Sequence, residues 1–117
     1  MFKLVNFSDL QGKILLSIDQ REDVLEFTCA TSEKYKMFHI QECCEDIHLE
    51  DVIGDLQSLI GHEILLAEEI TNSFEKGTNC FTWTFYKIAT LKNYVTLKWE
   101  GSSNGYYSER VDFVQIN

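Results

Sequence analysis

The sequence predicts an α+β fold, a mostly antiparallel β-sheet with one main helix packed on a face. Three observations predict it. The last third, Phe81 to Phe113, alternates aromatic and polar residues and breaks at two turn-like stretches, the pattern of half-buried strands. The first third holds three shorter runs with connections of two to four residues, as an antiparallel meander requires. Between them, HLEDVIGDLQSLIGHEI changes period, and Val52, Ile53, Leu56, Leu59 and Ile60 recur at helical spacing.

Taken in order, Phe2 to Gly12 opens the chain, and SDLQG reads as a helical turn with Ser8 as cap and Gly12 as stop. Lys13 to Ile18 is the first strand, Asp19 to Glu22 a polar turn, and Val24 to Thr31 the second strand, with Leu25, Phe27 and Cys29 on one face. Ser32-Glu33 turns the chain into a third strand, Tyr35 to Gln41, with Tyr35, Met37 and His39 on one face. The helix is expected over Leu49 to Ile60, its apolar stripe on the sheet. Glu50, Asp51 and Asp55 near its start suit the macrodipole, and Gly61 stands where a terminator would. Gly54 inside it costs on the order of 1 kcal/mol relative to alanine. Glu63 to Ile70 is a further strand and Thr71 to Thr78 a flexible loop. Three strands follow, about Cys80 to Ala89, Tyr94 to Glu100 and Tyr106 to Val114, joined by Leu91-Lys92-Asn93 and by Gly101 to Gly105.

At 117 residues the chain is read as one domain, residues 1–117, with no internal repeat or linker. A chain of this size buries roughly two-thirds of its unfolded surface, so it needs neither disulfide nor metal to fold. No apolar run reaches membrane-spanning length, and MFKLVNFSDLQGK lacks the apolar core of a signal peptide. A cytoplasmic protein with reduced thiols is expected, off the membrane. The net charge of −9 argues against DNA or general nucleic-acid binding, which depends on neutralising many phosphates. It leaves room for a small anionic ligand held by one or two well-placed cations.

His39, Cys43, Cys44 and His48 lie close in sequence, but their spacing does not match a zinc knuckle, and no metal or cofactor is expected. A nucleophile elbow, a P-loop and a dinucleotide fingerprint are all missing, and nothing local sets up a nucleophile, base and orienter. The many carboxylates read as solvated faces and helix-start charges. These features speak for a binding protein and against an enzyme.

The ladder Phe81, Trp83, Phe85 reads first as core side chains of one strand face, with Thr82, Thr84 and Tyr86 on the half-polar face that could meet a ligand or subunit. Asn93 reads as a turn residue. The run Gly101-Ser102-Ser103-Asn104-Gly105-Tyr106-Tyr107 is a hairpin turn by its Asn-Gly, yet its small residues also let backbone N–H groups approach a ligand. Asn104 and Tyr106 are candidates on that ground. Arg110, one of only two arginines beside Arg21, suits a phosphate because its planar fork pairs two oxygens at once. Stacking a base on an aromatic ring is worth about 1–3 kcal/mol. Nanomolar affinity, about −12 kcal/mol, therefore requires a closed pocket, which on one small domain points to completion by a second subunit.

The strings HIQECCEDIHLEDVIGDL, AEEITNS, FTWTFYKIAT and WEGSSNGYYSERVDF, spanning about Met37 to Phe113, resemble the first described family of Thoeris anti-defence proteins of phages and prophages. The resemblance implies a protein that binds and does not cleave. Members of that family sequester glycocyclic ADP-ribose isomers, the signals that TIR-domain enzymes make from NAD. Some also assemble as hexamers and hold cyclic di- or trinucleotide signals at separate sites. The pocket lies at a homodimer interface, where an aromatic ring stacks on adenine and Asn and Arg side chains contact ribose and phosphate. Carried onto this chain, the resemblance gives the Arg role to Arg110, the Asn role to Asn93 and the stacking role to Trp83 or Phe81. A nucleotide-degrading enzyme and a protein-interaction inhibitor of an immune enzyme are the alternatives.

Overall fold

In a computed structural model, which describes residues 3–40, 45–77, 79–103 and 111–117, nine strands form two antiparallel sheets. In chain order these are β1 (Lys3–Leu4), β2 (Leu15–Arg21), β3 (Val24–Cys29), β4 (Lys34–Phe38), β5 (Glu45–Ile53), β6 (Leu66–Lys76), β7 (Asn79–Ala89), β8 (Tyr94–Ser103) and β9 (Asp112–Gln115). The first sheet runs β1-β9-β4-β3-β2 and the second β5-β8-β7-β6. Among the described residues, short 3₁₀ turns at Phe7–Leu10 and Leu56–Leu59 complete the regular structure.

The meander β2-β3-β4 forms because Leu25, Phe27, Cys29, Tyr35 and Met37 alternate with polar residues, and all five are buried. Against them pack Ile47, Ala67, Tyr86, Ile88, Val95, Leu97 and Trp99 of the second sheet, in one continuous core. Phe7, from the first 3₁₀ turn, joins the layers: its ring meets Tyr86 edge-on at 4.8 Å and Phe113 at 5.2 Å. Full burial of side chains such as these contributes about 1.5–3 kcal/mol each. Ser8 is not the cap of that first turn: Asn6 holds the position, and Gly12 follows at φ +85°.

The expected helix does not exist. The architecture is a β-sandwich of nearly all antiparallel strands rather than α+β, with no helix of 7 or more residues among the described residues. Residues Leu49 to Ile53 are the second half of β5, and only Leu56–Leu59 turns, as a single 3₁₀ turn. A β-bulge produced the false period. Ile47 faces the core opposite Gly101, Leu49 opposite Trp99 and Val52 opposite Leu97, with the register shifting between Leu49 and Asp51. One extra residue inside a strand, followed by a 3₁₀ pair at Leu56 and Leu59, imitates a spacing of three and four. Gly54 marks the break between them. Its φ of +109° does not occur in a helix, and a Cβ there would lie 2.8 Å from the Tyr94 carbonyl oxygen. Asp55 then caps the turn by accepting a hydrogen bond from the Gln57 N–H at 3.0 Å.

The expected loop Thr71–Thr78 is also largely strand. β6 runs on to Lys76 and pairs with β7 along its whole length, from Leu66↔Ala89 to Lys76↔Asn79. It is exposed from Glu69 onward, so its composition is polar for want of a second layer to cover it.

Beside the first sheet, Lys13 Nζ and Thr31 Oγ1 both donate to Glu33 Oε2, each at 2.8 Å. The Lys13 hydrogen bond, then that of Thr31, lowers the Glu33 pKa from 4.5 to about 2. A depressed carboxylate contributes stability above pH 4.5 that is lost as pH falls towards 2. Lys13→Met is expected to return Glu33 towards the usual carboxylate range and to flatten that part of the stability profile. Carboxyl-carbon NMR titration of Glu33 checks it, and an unmoved midpoint would assign the depression to another cause.

Candidate functional site

The second sheet has one face in the core and one outside, and β7 shows which is which. Thr82, Thr84, Tyr86 and Ile88 are buried, whereas Phe81, Trp83, Phe85 and Lys87 are only half-buried. The sequence reading had these faces the other way round. Small threonines sit beneath the layer above, and the aromatic ladder stands on the outer surface.

Cross-strand pairing defines that outer surface. Phe81, Trp83 and Phe85 lie opposite Phe74, Asn72 and Ile70 of β6 on one side, and opposite Ser102, Glu100 and Lys98 of β8 on the other. Glu100 and Lys98 lie in turn opposite His48 and Asp51 of β5. The face therefore divides into an aromatic half over β6 and β7 and a charged half over β8 and β5.

In the aromatic half, Phe74 is shared between two neighbours. Its ring lies 5.1 Å from Phe81 at 21° and 4.9 Å from Trp83 at 20°. Three nearly parallel rings thus stand on an open sheet, and Phe74 and Ile70 beside them are 44% and 39% exposed. Such a stack offers flat apolar surface to another planar group. Phe74 was not among the residues read from the sequence, because it was placed in a loop. Its register opposite Phe81 is the signal, and only strand pairing shows it.

In the charged half, His48 Nε2 is 2.8 Å from Glu50 Oε2, and Nδ1 is 3.3 Å from Asp46 Oδ1. The bulge after Leu49 turns Glu50 onto the same side as His48. Burial pulls the His48 pKa down, but the hydrogen bonds and charges of Glu50 and Asp46 outweigh it, and the net shift is upward. What this gives to stability is present below the unfolded value of 6.5 and is lost as pH rises through the raised folded value.

The structure brings Phe81 and Trp83 together but places Asn93 elsewhere. Asn93 sits in the turn between β7 and β8, where its N–H meets Thr90 Oγ1 at 3.2 Å and its Nδ2 donates to the Ser58 carbonyl at 3.2 Å. Phe81 lies near the other end of β7, about 26 Å from Ala89 at about 3.3 Å per residue. Within one chain Asn93 and the ring stack are separate, and they could share a pocket only across a subunit boundary. Asn104, Tyr106 and Arg110 lie outside the described residues, as do Cys43 and Cys44.

A cleft of about 460 Å³ opens on the inner side of the same sheet, lined among others by Lys3, Asp9, Glu69, Tyr86, Val111 and Phe113. There the Tyr86 hydroxyl donates to Glu69 Oε1 at 2.7 Å. Tyr86 and the ring stack point to opposite faces, so cleft and stack are two separate surfaces. Among the described residues, no helix is long and apolar enough to cross a membrane.

Compared with known proteins, the chain matches no curated protein and no solved structure. A family model does match, over residues 8–113, and the chain belongs to that family, DUF7448, a domain of unknown function.

Proposed function

We propose that this protein is a binding module that sequesters a nucleotide-like signal without cleaving it. The observation that carries the reading is the stack of Phe74, Phe81 and Trp83 on an open sheet face. Parallel rings of this kind extend by one more planar ring, and an adenine base is such a ring. The resemblance of Met37 to Phe113 to the Thoeris anti-defence proteins supports glycocyclic ADP-ribose as the ligand. It also supports a homodimer, or a hexamer, as the form that closes the pocket, in the cytoplasm of an infected or lysogenic bacterium. An open face exposes a bound base to water on one side, so high affinity depends on that second subunit.

A second reading shares the same surface. Exposed Ile70 and Phe74 extend the aromatic patch onto the edge strand β6, which suits a protein partner as well as a small molecule. Calorimetric titration with glycocyclic ADP-ribose, followed by heat denaturation and chromatography of the released molecule, separates the readings. Tight binding with the ligand returned unaltered is the expected result, and Arg110→Ala should weaken it more than tenfold. An altered product would make the protein an enzyme. Absence of binding would overturn the sequestration reading and favour a protein partner.

A further inference from the structure

We propose that His48, Glu50 and Glu100, on the outer face of the second sheet, form a binding site for a divalent metal ion of the zinc class. One imidazole and two carboxylates are a mixed nitrogen and oxygen donor set of the kind such ions take. Each residue offers one ligand atom, and these atoms all lie within 4.8 Å of one another.

The strands hold these donors in place. His48 and Glu100 are direct cross-strand partners in β5 and β8, and the bulge returns Glu50 to their side. A tetrahedral zinc ion with bonds near 2.1 Å needs donor atoms about 3.4 Å apart, so gaps of up to 4.8 Å must close by up to about 1.4 Å. Rotation of the glutamate side chains supplies that: Glu50 is 43% exposed and Glu100 half-buried. Among the described residues the Glu100 side chain makes no hydrogen bond or ion pair, so no side-chain contact of its own has to be broken to bring it in. His48 gives up its Nε2 contact with Glu50, and both groups turn to the ion.

Asp46 completes the arrangement. In the metal-bound form its carboxylate, 3.3 Å from Nδ1, would hold the proton on that nitrogen, while the Nε2 proton that now faces Glu50 would be released so that the lone pair can meet the metal. A carboxylate behind a ligating imidazole fixes its tautomer and ring orientation. Asp51 lies on the same face, and Lys98 beside it is the neighbouring cation, so carboxylates outnumber ammonium groups around the site. Three protein ligands leave at least one position on a four-coordinate ion for water or a ligand oxygen. Glu100 is also the cross-strand partner of Trp83, which places the site beside the ring stack. The site stands independently of any nucleotide, and the metal alone tests it.

The experiment is calorimetric titration of the full chain with Zn²⁺, paired with long-range proton–nitrogen NMR of the histidine rings. Binding of one ion per chain is expected, weakened at least tenfold by His48→Gln and by Glu100→Gln, with far-UV circular dichroism unchanged. In the unsubstituted protein, Zn²⁺ should move the His48 Nε2 resonance while Nδ1 keeps its proton, a readout that does not depend on how either variant folds. No binding would overturn the proposal. So would binding that persists undiminished in both variants or leaves the His48 ring unshifted, since the thiols would then be holding the ion.

Discussion

Trp99→Ala is expected to destabilise the protein by about 3–5 kcal/mol, the cost of truncating a large aromatic in a packed interior. Trp99 is 1% exposed on the inner face of β8, between Leu49 of β5 and Thr84 of β7. A domain of this kind has about 5–15 kcal/mol of stability in all, so the variant should be close to unfolding. Its indole Nε1 is buried and, among the described residues, has no hydrogen-bond partner. An unsatisfied buried N–H costs about 1–3 kcal/mol, so Trp99→Phe removes that penalty while keeping most of the ring. Trp99→Phe should therefore cost under about 1.5 kcal/mol. Urea denaturation of both variants decides the matter. If phenylalanine were as damaging as alanine, shape or an unseen polar contact would matter more than the apolar volume.

Trp83→Ala should behave in the opposite way, although Trp83 lies on the adjacent strand and is the same residue type. It stands on the outer face, half-buried and stacked on Phe74, and its loss should cost about 0.5–1.5 kcal/mol of stacking on top of the apolar area it half buries, in all less than the truncation of Trp99. Under the proposed sequestration, affinity for glycocyclic ADP-ribose should fall about 5- to 150-fold, since base stacking is worth about 1–3 kcal/mol. Phe74→Ala should give the same split. Denaturation midpoint and calorimetric affinity are to be measured on the same samples. An unchanged affinity would remove the stack from the site. Collapse of the fold would mean that the outer face is covered and is no free surface.

Much of the strand structure was legible in the sequence. Leu25, Phe27 and Cys29 alternate with polar residues and are buried together, as are Tyr35 and Met37, because the turns beside them are short and the period is unbroken. Legibility failed where a local irregularity intervened. The extra residue in β5 moved Val52 and Ile53 out of phase with Ile47 and Leu49, and a period that slips by one resembles a helix over a short window. The polar stretch of β6 read as a loop because composition reports exposure. A strand held by its neighbour and covered on neither face is as polar as a loop.

The candidate site was legible only in part. Phe81 and Trp83 stood out by their alternation, but Phe74, which stacks on both, did not. In the sequence His48 stands with the nearby cysteines and Glu50 reads as a helix-start charge, while nothing there singles out Glu100, their neighbour in space. Glu100 is separated from His48 by two intervening strands and meets it only through the pairing of β5 with β8.

By itself, then, the sequence determined the existence of most strands, the antiparallel sense that short connections impose, and the acidic balance of the surface. Only the tertiary structure decided that the second sheet turns its threonines inward and its aromatic ladder outward, and that a histidine and two glutamates share one face. The reason is physical. Alternation records that a strand has two unlike faces, but which of them is covered depends on the layer packed against it, and that layer is built by residues far away in the chain.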